Sequence, residues 1–505
     1  MKQSRLLKSI LSVSGVLILV KVLGFVKQMV IAASFGANAN TDLINLSYGF
    51  IGNAQYLLVQ VMLTAVVSVY IHVKGENEKE ANQFASYTLV VSTVIAAVIS
   101  VLICGLSSWV ARLLAPSYSP ELIRQLSSYL RLFSPILIPL VWMAVFHALL
   151  NGNQRFVPGQ LEGLYQSVIL VAVITLGSSS LGVNSLALGY WLYAVISAAI
   201  LGVQARRYFG RSYGNPFRNP HIQSLLHMMG PLLIGYGAVY INQMVDKILV
   251  SGLESGTVTA MSYAAVLANL VGTLICSLCS VLYAHLTEQI SRGNKRAVSQ
   301  LTERTVLLLT VLLLPVTVIA VAQSEDIVHL VYGRGVFDNQ AADMTAQALR
   351  GYCLYFIPLA LREIYSCIQY GYQDSKRPTR NSVIGIVCNI ILSILLCPVL
   401  GVFGVTFASS VSTLVIGGMN MHSARQDAPF LSFQSFWKAA PFLTVGGATA
   451  ILLSWLCGQW FSGFSVLIRL CLNTICVFAA YGMIVCPMLW KMGLFNQLFP
   501  KKSKF

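Results

Sequence analysis

The sequence predicts an all-α integral membrane protein of about 14 transmembrane helices, two six-helix lobes related by a pseudo-two-fold axis plus two C-terminal helices. Three observations lead there. Of 505 residues, 56% are hydrophobic and only 10% charged, a balance that excludes a soluble globular protein. Apolar runs long enough to cross a bilayer follow one another along the whole chain, and a repeat at fixed offset links its two halves.

Crossing about 30 Å of hydrocarbon takes roughly 20 helical residues. Such runs fall near residues 8–33, 42–73, 82–105, 124–150, 158–178, 184–208, 222–251, 258–290, 298–323, 345–371, 378–398, 402–424, 434–457 and 465–492. Their period is helical, and the alternating segments of a membrane barrel are missing. The start, "MKQSRLLKSILSVSGVLILV", imitates a secretory signal, but its apolar run is too long and many spans follow. Pro135, Pro139 and Pro358 lie inside spans and predict kinks.

Lys and Arg set the topology. With the N-terminus inside, 22 of the 33 basic residues are cytoplasmic, among them Lys2, Arg5, Lys8, Arg206, Arg207, Arg211, Arg218, Lys491, Lys501, Lys502 and Lys504. The opposite loops near 34–41, 176–184, 251–257, 399–401 and 458–464 contain neither residue type. With an even number of spans, both termini are expected in the cytoplasm. The formal charge of +16 is therefore topology plus attraction to lipid headgroups, and no nucleic-acid partner is expected. The 11 cysteines lie almost all within spans, and Cys276 and Cys279 are one turn apart, so neither a disulfide framework nor a zinc site is indicated.

The repeat aligns Gly152 and Gln154 of "NGNQRFVP" with Gly371 and Gln373 of "YGYQDSKRP" at an offset of 219 residues (371 − 152). The same offset pairs Arg131 with Arg350, Pro139 with Pro358, and "LGV" at 181–183 with "LGV" at 400–402. Six spans in each half give the halves a shared orientation, as in transporters built from parallel repeats. The expected domains are an N-terminal lobe over 1–210, a C-terminal lobe over 211–425, and two further helices with a basic tail over 426–505. There is no phosphate loop, nucleophile motif or pair of catalytic carboxylates, and the loops are too short for a catalytic domain. The chain reads as a transporter, not an enzyme; His147, alone in the fourth span, reads as a helix-packing donor rather than a base.

Charges inside spans are the functional candidates, since a lysine at the bilayer centre costs about 2.5–3.5 kcal/mol unless it faces water or a partner. Lys21 and Lys27 share the first span, six residues and so roughly 120° apart on a helix, and together point to a cationic cavity for an anion. Asp42, at the start of the second span, reads either as a first-turn acid on the helix dipole or as a partner for Lys27. "NQMVDKILV" places Asp246 beside Lys247, and "PLALREIYSC" places Arg362 beside Glu363. Each is expected to find a partner on another helix or in water, because neighbouring side chains diverge by about 100°. Asn389 and Ser393 share a helix face and, with Asp246, could offer oxygen ligands to a small hard cation or glue helices together.

Three stretches, "VLGFVKQMVIAASFGANANTD", "IVHLVYGRGVFDNQAADMTAQALRGY" and "YGYQDSKRPTRNSVIGIVCNIILSILLCPVLGVFGVTFASS", resemble the MurJ (MviN) family of lipid II flippases, within the multidrug/oligosaccharidyl-lipid/polysaccharide exporter superfamily. The similarity runs over most of the chain. It implies a bacterial cytoplasmic-membrane transporter that moves an undecaprenyl-diphosphate-linked glycan outward by alternating access through a cationic cavity. It also implies a groove for the lipid tail on the last two helices, and cell-wall synthesis proteins as candidate partners.

Carried over by position, Lys21 and Lys27 stand where the family usually has arginines, and Asp42 matches its acidic residue. Lysine keeps the charge and loses the planar fork that grips phosphate. Gln55 and Gln60 stand where the family has Arg and Glu in the second span, and Val266 and Asn269 where it has Arg and Glu in the eighth. The expected substrate contacts are thus Lys21, Lys27, Asp42, Gln55, Gln60 and Asn269. Asp246, Asn389, Ser393 and Ser409 fall where some members bind sodium, but Ser393 replaces a carboxylate there, which should weaken cation binding; no cofactor is expected, and sodium or the membrane potential is the candidate for coupling. Lipid II leads as substrate. The departures leave an exopolysaccharide or other lipid-linked oligosaccharide open, and a small-molecule antiporter is the remoter alternative.

Overall fold

The computed structural model describes the backbone of residues 2–211, 214–461 and 463–491, with side chains from Leu19 onward except at 212, 213, 234, 235, 435, 462 and 491–505. The basic side chains of Lys2, Arg5, Lys8, Lys491, Lys501, Lys502 and Lys504 lie outside that range. All regular structure among the described residues is helical. The chain divides into two compact units, residues 1–259 with 334–337, and residues 260–333 with 338–505.

Unit 1 contains α1 (Lys2–Phe35), α2 (Ala39–Glu76), α3 (Glu78–Gly105), α4 (Ser107–Leu114), α5 (Pro120–Phe133), α6 (Leu137–Gly152), α7 (Val157–Gln160), α8 (Glu162–Leu181), α9 (Asn184–Ala205) and α10 (Pro220–Ser251). Polar caps start the helices where the sequence provides them. Asn38 accepts from the amides of Asn40 and Thr41 while Thr41 Oγ1 accepts from Asn38 N, a reciprocal box that opens α2. Asn219 caps α10 ahead of Pro220, whose missing N–H costs nothing at the first helical position. α2 is the hub, packed against α3, α5, α6 and α10 around Met62, Val66, Tyr70, Phe84 and Leu149. The repeat boundary of the sequence falls near residue 210, whereas division by contact keeps α10 with the first six spans.

Unit 2 begins inside the first turn of α11 (Thr257–Ser291) and continues with α12 (Lys295–Ala322), α13 (Ser324–Tyr332), α14 (Asn339–Cys353), α15 (Phe356–Gly371), α16 (Lys376–Asp427), α17 (Gln434–Trp460) and α18 (Val466–Lys491). α16 is two antiparallel spans meeting at Gly401, which has φ 59° and ψ −140°. Asn381 Nδ2 donates to Asn420 Oδ1 at 2.9 Å across that hairpin, and Gly385 lies against Ile416, where any side chain would collide. Small and amide residues hold membrane helices together because lipid gives helices no hydrophobic drive toward one another. α17 and α18 pack on each other and on α12 through Leu307, Leu443, Tyr481 and Val485. Arg469 Nε donates to Asp326 Oδ2 at 2.7 Å, tying α18 to α13.

Each unit carries the same local geometry at the sequence offset. Gln154 (φ 59°) and Gln373 (φ 61°) are the non-glycine residues with left-handed backbone among those described. Gly182 and Gly401 share φ near +55° to +60° at the tips of two hairpins. Arg131 Nε donates to Ser107 Oγ at 2.7 Å, and Arg350 Nε to Ser324 Oγ at 2.8 Å, each fixing the first turn of a short amphipathic helix. Pro139 and Pro358 are each the third residue of their helix, just past a break in the span at Ser134–Ile136 and at Leu354–Tyr355. The predicted kinks are thus breaks between α5 and α6 and between α14 and α15.

Ten helices among the described residues are long and apolar enough to cross a membrane, or eleven with the bent α10 counted as one span. α16 accounts for two of the expected spans within one of these ten. Two expectations change. Arg362 finds its partner next door, donating to Glu363 Oε1 from Nε at 3.0 Å and Nη2 at 2.6 Å, because the long guanidinium arm bridges the divergence between neighbours. His147 is buried against Gly159, and neither ring nitrogen has a hydrogen-bond partner among the described residues, so it packs by its ring and not as a donor.

Candidate functional site

Unit 1 gathers polar side chains on α1, α2, α8 and α9. Lys27 Nζ donates to Gln166 Oε1 at 2.8 Å, and Gln166 Nε2 donates to Tyr48 OH at 3.4 Å. The Tyr48 ring stacks on Tyr190 with centroids 3.5 Å apart. Close by in sequence, Gln55 Nε2 donates to Tyr193 OH at 3.0 Å and to Glu162, and Tyr193 OH donates to Glu162 Oε1 at 2.8 Å. α1 and α8 approach closely because Gly163 lies against Val20, and this brings Lys27 onto Gln166.

Glu162 opens α8, where the helix dipole favours a negative charge, and it also receives two neutral donors. Gln166, Tyr193 and Glu162 were not singled out from sequence. A signal existed, since Glu162 and Gln166 are polar residues four apart in an otherwise apolar span and so share one face.

Asp42 does not pair with Lys27. Its Oδ2 accepts from Gly256 N at 2.7 Å, and its Oδ1 from Thr259 N at 2.8 Å and Thr259 Oγ1 at 2.6 Å. Asp42 therefore caps the start of α11, while Asn38 caps its own helix. Lys21 is exposed. Gln60 is half-buried, and Asn269, in unit 2, is exposed; their backbone carbonyls accept from Thr64 and Thr273. Five of the six expected substrate contacts lie in unit 1, and Asn269 lies in unit 2. Lys27 is bonded to Gln166 of α8, Gln55 belongs to the network with Glu162 and Tyr193, and Asp42 belongs to a cap.

Of the expected cation ligands, Asp246 is buried in unit 1. Asn389, Ser393 and Ser409 lie in unit 2, where Asn389 Nδ2 donates to Ser409 Oγ at 3.1 Å and Ser412 Oγ at 3.4 Å. Asn389 Oδ1 is buried without a hydrogen-bond partner among the described residues, which suits an oxygen-seeking cation. No group of three His, Cys, Asp or Glu side chains could hold a metal among the described residues. A separate cavity of about 300 Å³ in unit 1, lined by Ser34, Phe35, Asn38, Asn40, Thr41, Val183 and Val336, includes none of the expected site residues.

The family model described as "Lipid II flippase MurJ" matches residues 31–471, nearly the whole chain and parts of both units. This chain belongs to the MurJ family. Curated relatives described as "Probable lipid II flippase MurJ" include one from Treponema pallidum, 22% identical over 82% of this chain and 80% of the relative. Another, from Vibrio cholerae, is 22% identical over 89% of each. A solved structure, "Lipid II flippase MurJ, inward closed conformation", shares the fold with TM-score 0.80 at 18% identity, covering 97% of this chain and all of that one. An inward-facing multidrug resistance MATE family transporter of the MOP superfamily matches with TM-score 0.69 at 13% identity, covering 81% of this chain and 95% of that one. MurJ membership makes this a multi-pass inner-membrane protein of a transporter family and bears out the resemblance of its three motifs.

Proposed function

We infer that the protein is a flippase for lipid II, the undecaprenyl-diphosphate-linked peptidoglycan precursor, carried from the inner to the outer leaflet by alternating access. The observation that carries this reading is the family match across residues 31–471. Lys27 supports it chemically. An ammonium inside a bundle, bonded to one neutral amide and to no carboxylate among the described residues, is poised to meet a diphosphate. Its field concentrates the anionic headgroup while the polyprenyl chain stays in lipid beside α17 and α18. Lys21 adds a second positive charge on the same helix. The work is transport rather than catalysis, with both termini in the cytoplasm.

Rescue of bacteria depleted of their own lipid II flippase tests the reading, with abundance checked and Lys27→Ala alongside. Rescue by the unaltered chain, lost in the variant, is expected. No rescue at normal abundance would move the substrate to another polyprenyl-diphosphate glycan, a reading favoured by one observation: Gln55, where the family has arginine, is engaged by Glu162 and Tyr193. Coupling to sodium through Asp246, Asn389, Ser393 and Ser409 is the accompanying proposal. Equal transport with and without sodium would remove it.

A further inference from the structure

Lys247 is a further lysine within a span of unit 1. It lies near the end of α10, and its ammonium turns onto α2, where the one hydrogen bond it makes among the described residues is to the carbonyl of Asn45, at 3.5 Å. It lies directly over Gly49, whose missing side chain makes the seat: a Cβ there would collide with Nζ. Although Asp246 is its neighbour in sequence, Lys247 forms no ion pair among the described residues. An ammonium has three donors, and one long bond leaves it under-satisfied in a setting where unpaired charge is costly.

Lys27 is linked to the same stretch of α2 indirectly. Its partner Gln166 is bonded to Tyr48, the residue before Gly49. Lys247 directly, and Lys27 through Gln166 and the Tyr48 hydroxyl, are thus linked to residues 45–49 of α2, each with spare donors and neither with a carboxylate among the described residues. Ammonium groups with spare donors and no carboxylate are suited to an anion, and a diphosphate offers several charged acceptor oxygens.

We propose that Lys247, seated on Gly49, is a second diphosphate-binding residue, acting with Lys27 on the carrier lipid. It would supply part of the positive charge that Gln55 does not. The assignment rests on the flippase reading and sharpens it to a residue.

The test uses the full chain in nanodiscs of phosphatidylcholine, titrated with undecaprenyl diphosphate and, separately, with neutral undecaprenol. Lys247→Met is expected to weaken diphosphate binding about tenfold or more, as loss of a charge-assisted contact does, and to leave undecaprenol binding unchanged. Lys247→Arg should retain binding. Gly49→Ala, which displaces the ammonium without removing it, should weaken the diphosphate lipid selectively. Equal diphosphate binding by Lys247→Met and the unaltered chain would overturn the assignment, and so would equal weakening of both lipids, which marks a structural role. Competition by phosphatidylglycerol as effective as by undecaprenyl diphosphate would overturn it too, since the seat would then serve ordinary headgroups. Diphosphate binding by the unaltered chain that Lys247→Met leaves intact sinks only this inference, whereas no binding at all sinks the flippase reading with it.

Discussion

Lys27 of α1 and Gln166 of α8 are joined by a 2.8 Å hydrogen bond that crosses 139 residues of sequence. The bond fixes where the ammonium points without neutralising it, because an amide oxygen supplies no charge. Replacing Gln166 by Leu should leave the lysine charged but unanchored, lowering transport several-fold, whereas Lys27→Ala should abolish it and Lys27→Arg should preserve it. Complementation growth at matched abundance measures all three. Full activity in Lys27→Ala would remove this lysine from the substrate site.

Asp42 gives the opposite signature. Its carboxylate satisfies two backbone amides and a hydroxyl at the start of α11, so Asp42→Ala strands buried donors and should cost about 2–4 kcal/mol. Asp42→Asn keeps acceptor capacity on one oxygen and should lose roughly half as much. Thermal unfolding of the purified protein in detergent reads the difference. A variant with normal stability and no transport would instead place Asp42 on the substrate.

Much of this was legible in the chain. The spans, their helical character and the 219-residue repeat follow from hydropathy and from Gly, Gln and Pro spacing, and Gln154 with Gln373 shows the repeat in backbone angles. The pairing of side chains was not legible, for a physical reason. Which helix Lys27 or Lys247 meets depends on interhelical packing set by residues such as Gly163 and Gly49, whose significance appears only once a neighbour lies against them. The partner of Arg362 was missed because a rule about diverging neighbours ignores how far a guanidinium reaches.

Glu162 is held by Gln55 and Tyr193, and the three form one network. Glu162→Leu leaves both donors buried and should destabilise unit 1 by about 1–3 kcal/mol, while the double variant Glu162→Leu, Gln55→Leu should recover part of the loss. Strict additivity in thermal unfolding would show that the residues act independently.

His147 and Gly159 make a steric pair, since a Cβ on Gly159 would overlap the imidazole. Gly159→Ala alone should destabilise by about 1–3 kcal/mol through overpacking, and adding His147→Ala should relieve most of it. If Gly159→Ala were neutral in thermal unfolding, the close approach of α6 and α7 would not be present in solution.

Gln154 and Gln373 hold left-handed backbone conformations at equivalent places in the two repeats, where a side chain is tolerated at some cost. Replacing either by Val, whose branched Cβ clashes most in that region, should destabilise by about 1–2 kcal/mol. Gly at either should be close to neutral, because relief of the backbone clash is offset by greater freedom of the unfolded chain. The two sites should respond alike in thermal unfolding. A large effect at Gln154 with none at Gln373 would mean that the shared sequence and angles do not carry a shared structural role.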